Sequence, residues 1–170
     1  EYRAAVIARH RLLTQLAVRE GQPDLVVWPE TMYRWPLLET AVELTDDELR
    51  RCAPNIPPEV WRKAFPRNQL ADFSSEANAA LIIGIDTLVA SPGRLDSFNS
   101  AAFIRPDTGL AGRYDKLHRV PFGEYIPLAD TLPWLHHLTP FPADFGLTAG
   151  RTASVFEYGS WRFVPMICFE

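Results

Sequence analysis

Short apolar runs alternating with amphipathic stretches organise this chain. In residues 2–20, Val6, Leu13, Leu16 and Ala17 recur near one side of a helix, with arginines elsewhere, and Gly21 and Pro23 supply a stop signal. Asp24 to Trp28 is an apolar run of strand length closed by Pro29. A helix feeding such a strand predicts an α/β layer arrangement. Residues 33–75 are less regular. Thr45 with Glu48 three positions on is a capping-box pattern, predicting a short helix from Asp46 that Pro54, Pro57 and Pro58 break. Helical turns are expected again over Glu59 to Phe65 and Gln69 to Asn78, so 33–75 reads as an irregular helical excursion placed to cover a site.

Ala80 to Asp86 and Phe98 to Arg105 are predicted strands, with a loop over Ser91 to Asp96. Pro106-Asp107-Thr108-Gly109 has turn chemistry and would return Leu110 to Arg113 as a hairpin partner, delivering Lys116 just past it. A second hairpin is expected from Ala153 to Tyr158 and Trp161 to Ile167 around Gly159-Ser160, its last apolar run, Phe163 to Ile167, being a buried strand. Residues 122–147 are unusually apolar, with Phe122, Tyr125, Ile126, Leu128, Leu132, Trp134, Leu135, Leu138, Phe141 and Phe145 broken by four prolines. They suit either a lid or arm dipping into a membrane interface, with Tyr125, Trp134 and Leu135 as lipid contacts, or an ordered loop over the core.

Composition narrows the class. A chain of 170 residues, 47% apolar and 22% charged, is enough for one domain with a sizeable core. The net charge of −4 gives no electrostatic case for nucleic acid. No run approaches the roughly 20 apolar residues that span a bilayer. The chain begins at Glu1 rather than Met and stops two residues past Cys168, so residues 1–170 are expected to be part of one domain, incomplete at both ends and inactive alone. Of the two cysteines, Cys52 sits in a charged segment and reads as a bystander at a helix end. No metal-ligand spacing stands out, His136-His137 included, and no cofactor is expected.

Three side chains carry candidate chemistry: Glu30, Lys116 and Cys168, each expected at a strand end, where neighbouring strands in one layer can converge on a pocket. Each has a plainer reading on its own: a cap, a solvated lysine, a core cysteine. Together, a carboxylate that takes a proton, an ammonium that stabilises an oxyanion and a thiol that attacks would perform acyl transfer.

The segments Trp28-Pro29-Glu30, Tyr114-Asp115-Lys116-Leu117-His118-Arg119-Val120-Pro121-Phe122-Gly123-Glu124-Tyr125-Ile126-Pro127 and Ile167-Cys168-Phe169-Glu170 resemble the nitrilase (carbon–nitrogen hydrolase) superfamily. The Pro-Phe-Gly-Glu-Tyr-Ile-Pro run, Asn99-Ser100-Ala101 and Gly146-Leu147-Thr148-Ala149-Gly150 look like its apolipoprotein N-acyltransferase branch. The resemblance implies a nitrilase-like α-β-β-α sandwich with mixed sheets. It makes Glu30 the general base, Lys116 the oxyanion stabiliser and Cys168 the nucleophile, supported by Glu124 and Glu170. Phe169 stands where that branch often has Tyr, so a hydroxyl is missing there. The implied reaction moves a fatty acyl group from a phospholipid, through a cysteine thioester, to the N-terminal amine of a diacylglyceryl-cysteine lipoprotein. Its implied setting is the bacterial inner membrane, with the catalytic domain facing the periplasm. The alternatives are a soluble nitrilase-like amidase using the same triad on a small amide, and a non-catalytic binding module.

Overall fold

The computed structural model describes residues 2–129, 131–132, 134–135, 140 and 145–170. The elements are α1 (Tyr2–Gly21), β1 (Leu25–Thr40), α2 (Asp46–Cys52), α3 (Pro58–Trp61), α4 (Phe65–Ala77), β2 (Ala80–Ser91), β3 (Arg94–Arg105), β4 (Gly109–Asp115), β5 (Phe156–Tyr158) and β6 (Trp161–Phe163). β1 to β4 form one sheet in sequence order; β1 runs parallel to β2, and the other pairs are antiparallel. β5 and β6 form a separate antiparallel hairpin.

Alternation along the strands sorts side chains to two faces. On one face Leu81, Ile83 and Ile85 of β2 join Trp28, Tyr33 and Leu37 of β1 against Ile7 of α1 and Leu70 and Phe73 of α4. On the other, Ile82, Ala101, Phe103 and Tyr114 pack against Phe156 and Ile167. Phe103 stacks on Phe156 with ring centroids 4.9 Å apart, and Phe163 meets it edge-on at 5.5 Å. Helices thus cover one face of a mixed sheet and a β-hairpin the other, the layered α/β arrangement that the resemblance implies.

Several expectations need correcting. The buried stripe of α1 is Ile7 and Thr14, while Leu13, Leu16 and Ala17 are exposed. The reason is Trp28: its indole N–H donates to Thr14 Oγ1 at 2.9 Å, which turns that stripe towards the sheet. Residues 33–40 are not part of an excursion but continue β1. Pro29 and Pro36 are tolerated because β1 is an edge strand and breaks register with β2 between Trp28 and Tyr33 and again between Tyr33 and Leu37. The helices that follow do not cover the Glu30 face. α4 lies on the opposite face, and Leu44, Leu49, Ala53 and Trp61 form a small satellite core with Ala90. The expected α2 start is present, with both halves of the Thr45–Glu48 box made, and Cys52 ends that helix as a free thiol. Ser91 to Asp96 is a tight hairpin rather than a loop, with Gly93 at φ +72°.

Phe163 to Ile167 is not a buried strand. β6 stops at Phe163, which packs on Phe103; Val164 and Met166 are exposed, and past β6 only Ile167 is buried. Pro165 has no N–H for a ladder, and the Ile167 N–H donates to Glu170 Oε2 at 3.0 Å instead. Among the described residues no helix is long and apolar enough to cross a membrane. Of the proposed lid over 122–147, residues 130, 133, 136–139 and 141–144 lie outside the described residues.

Candidate active site

Glu30 owes its position to a fault in β1. Trp28 pairs with Ile83 and the next pair is Tyr33 with Ile85, so five steps along β1 match two along β2. The surplus backbone, Pro29-Glu30-Thr31, folds out over Gly84. A Cβ at Gly84 would lie 2.3 Å from the Pro29 carbonyl oxygen and 2.6 Å from Glu30 Cα and Thr31 N. Only glycine leaves room for that approach. Thr31 sits at φ +53°, a left-handed conformation that costs a β-branched residue about 1–2 kcal/mol. Glu30 is therefore in a bulge rather than at a strand end. Its Oε1 accepts from Asn99 Nδ2 at 2.6 Å.

Lys116 follows the end of β4 as expected. Its backbone N–H donates to the Asn99 carbonyl at 2.9 Å, so Asn99 holds both Glu30 and Lys116. The side chain is 3% exposed, and its Nζ donates to Glu124 Oε1 at 2.7 Å. Glu124 is fixed in turn, its Oε2 accepting from the Val120 N–H at 2.9 Å. Burial disfavours the ammonium. The hydrogen bond and charge of Glu124, with the charges of Glu30 and Cys168 added, outweigh burial and raise the lysine pKa above its ordinary value. Lys116 is thus a cation at neutral pH.

The Gly146 to Gly150 segment straps these parts together. Leu147 N–H donates to the Glu124 carbonyl at 2.7 Å, Thr148 N–H to Ser97 O at 2.6 Å, and Gly150 N–H to Lys116 O at 2.8 Å. A Cβ at Gly150 would lie 2.1 Å from the Asp115 carbonyl oxygen, so glycine is required for the strap to lie this close.

Cys168 is exposed and lies in a turn at φ +62°, not at a strand end. Glu170 makes that turn. Its carboxylate accepts from Ile167 N–H just before the cysteine, from Leu117 and His118 N–H just after the lysine at 2.7 and 2.9 Å, and from Tyr114 Oη at 2.7 Å. One carboxylate therefore ties the cysteine turn to the end of β4. Burial raises the Glu170 pKa, but the Tyr114, His118, Ile167 and Leu117 donors outweigh it, and the group titrates below the usual glutamate range. Burial, then the Glu170 hydrogen bond and charge, push the Tyr114 phenol up to about 12. The Phe169 ring keeps an aromatic contact, its centroid 5.7 Å from Lys116 Nζ.

Glu30 and Cys168 line one cleft of about 440 Å³, walled also by Trp28, Gly84, Phe163 and Met166. Lys116 does not line it, but both residues act on its charge. The lipid-contact candidates lie elsewhere. Tyr125 packs under the Arg119 guanidinium at 4.3 Å in a separate cleft with Phe145 to Ala149. Trp134 is 55% exposed and Leu135 half-buried. Among the described residues no group of three His, Cys, Asp or Glu side chains is placed to hold a metal. Sequence reasoning missed the roles of Gly84, Gly150 and Asn99. A lone glycine inside the apolar run Leu81 to Ile85 was the available signal for the first.

Comparison with known proteins places the chain in a family. The chain is 27% identical over 169 residues to an apolipoprotein N-acyltransferase of Geobacter metallireducens. It is 33% identical over 172 residues to one of Sinorhizobium medicae. Each alignment takes in 99% of this chain, which spans 28% of either relative's length. Among solved structures, an amidase of the nitrilase superfamily from Nesterenkonia superposes with a TM-score of 0.56 at 12% identity, over 96% of this chain and 50% of that one. This likeness is one of fold. The family model for carbon–nitrogen hydrolase matches residues 2–170, and with a layered mixed sheet carrying Glu30 and Cys168 into one cleft, the chain belongs to the carbon–nitrogen hydrolase family.

Proposed function

We propose that this chain is the cysteine-bearing part of an N-acyltransferase that carries a fatty acyl group from a phospholipid to the N-terminal amine of a diacylglyceryl-cysteine lipoprotein. The observation that carries the reading is the shared cleft of Glu30 and Cys168, with the buried Lys116 tied to Glu30 through Asn99. The relatives named apolipoprotein N-acyltransferase supply the substrate class.

In the first half-reaction Glu30 takes the thiol proton, and the Cys168 sulfur attacks the ester carbonyl of the phospholipid. The Lys116 ammonium stabilises the oxyanion, a contribution of about 3–4 kcal/mol for such a donor. The C–O bond breaks, Glu30 returns its proton to the leaving lysophospholipid oxygen, and a thioester remains on Cys168. In the second half-reaction the lipoprotein amine attacks the thioester and Glu30 accepts the amine proton. The C–S bond then breaks, Glu30 returns that proton to the leaving sulfur, and an amide and a free Cys168 thiol remain. Amines attack thioesters readily, so excluding water is what separates transfer from hydrolysis. Phe122, Leu128 and Trp134, all exposed, suit contact with the interfacial zone of a membrane, and the inner membrane with the site facing the periplasm is the proposed setting.

The test supplies the intact enzyme with labelled phospholipid and a diacylglyceryl-cysteine peptide. Label in an amide on the peptide, absent in Cys168→Ala, is expected. Label released only as free acid, or turnover of small amides but never of lipid, refutes the transferase in favour of the amidase. Activity unchanged in Cys168→Ala refutes any role for the thiol.

A further inference from the structure

A second carboxyl group lies on the same face of the sheet as Glu30. Asp86 on β2 pairs directly with Asn99 on β3, so their side chains stand side by side, with Cβ atoms about 4.5–5.5 Å apart. Asn99 is 5% exposed and gives its Nδ2 to Glu30 at 2.6 Å. Its Oδ1 is buried and has no hydrogen-bond partner among the described residues. A buried acceptor left unpaired costs about 1–3 kcal/mol, so only the Glu30 contact at the other end of the amide orients it. The proposed role of Glu30 as base needs the N–H end aimed at it.

We infer that Asp86 is a positioning residue: in its protonated form it donates to Asn99 Oδ1, which fixes Asn99 Nδ2 on the Glu30 carboxylate. This inference rests on the proposed role of Glu30. The charges around Asp86 are consistent with it. Burial raises its pKa, Arg34 of β1 and Arg3 of α1 lower it, Glu30 of β1 raises it, and the balance is upward. Two carboxyl groups that share a site tend to divide one proton between them. In the proposed arrangement the proton sits on Asp86, facing Asn99 Oδ1. As pH rises through the Asp86 ionisation, the donor is lost and a second negative charge appears beside the base.

The experiment compares wild type, Asp86→Asn and Asp86→Ala in the intact enzyme. Asparagine is close in shape and its amide donates at every pH. The first readout is the rate of Cys168 alkylation by iodoacetamide across pH, which does not depend on the lipid substrate. Asp86→Asn is expected to stay within about twofold of wild type and to lose the decline at rising pH. Asp86→Ala is expected to fall about tenfold, or about 1.4 kcal/mol. The second readout is phospholipid acylation, where the Ala variant should lower the limiting rate and leave half-saturation unchanged. The third is the infrared band of a protonated carboxyl group, expected in wild type and absent in Asp86→Asn. Equal rates in all three proteins, equal losses in the Asn and Ala variants, or no such band in wild type overturn the inference. If wild type is not acylated by lipid, the acyl-transfer reading fails, while alkylation and the infrared band still decide Asp86.

Discussion

Replacing Gly84 with alanine tests how the sheet presents Glu30. The new Cβ would sit 2.3 Å from the Pro29 carbonyl oxygen and 2.6 Å from Glu30 Cα and Thr31 N. Ordinary contact for such atoms is about 3.5 Å, so the bulge must retreat by about 1 Å. Those neighbours are backbone, so no rotamer change relieves the clash. Overpacking of this kind costs about 1–3 kcal/mol, a drop of several degrees in Tm. The effect on chemistry should be larger, because a displacement of about 1 Å at a reacting group costs up to about 100-fold. The assay is the single-turnover rate of Cys168 acylation by phospholipid, with Tm measured on the same protein. A folded Gly84→Ala enzyme acylating at the wild-type rate would refute the claim that close packing on Gly84 sets the position of Glu30.

Three other outcomes are expected. Glu124→Ala strands the buried Lys116 ammonium and should cost about 3–5 kcal/mol by chemical denaturation, whereas the double replacement Lys116→Met with Glu124→Leu should recover most of that stability without activity. Glu170 titrates below the ordinary glutamate value, so its contribution is present above about pH 4.3 and is lost as pH falls through its folded pKa. Glu170→Gln should therefore lower Tm at neutral pH and flatten the acid-side slope of a Tm-against-pH series. Replacing Trp134 and Leu135 with serine should weaken liposome binding of the intact enzyme in a flotation assay, and unchanged binding rules out the lid.

What could be read from the sequence divides along a physical line. Ala80 to Asp86, Phe98 to Arg105, the Pro106–Gly109 turn and the Thr45–Glu48 cap are set by local chemistry: apolar runs, turn residues and a side chain that reaches its own helix. Glu30, Lys116 and Cys168 could be named from their motifs, but the geometry that holds them could not. Glu30 was expected at a strand end because Pro29 reads as a stop; on an edge strand with a bulge, proline stops nothing. The cysteine run was expected to be a strand because it is apolar, yet among the described residues no strand pairs with it, and Glu170 takes the Ile167 N–H instead. The helix face went to Thr14 rather than Leu13 because the Trp28 indole needs an acceptor, a demand invisible within α1 itself. The bulge at Glu30 and the face of α1 both depend on partners in other elements.

The most direct measurement is mass spectrometry of the peptide containing Cys168 after the intact enzyme meets phospholipid without an acceptor. The account predicts a mass increase of one fatty acyl group on Cys168 that hydroxylamine removes, abolished in Glu30→Gln and Lys116→Met. An unmodified Cys168 in an enzyme that still transfers acyl groups, or an adduct that forms equally well without Glu30 and Lys116, would contradict it.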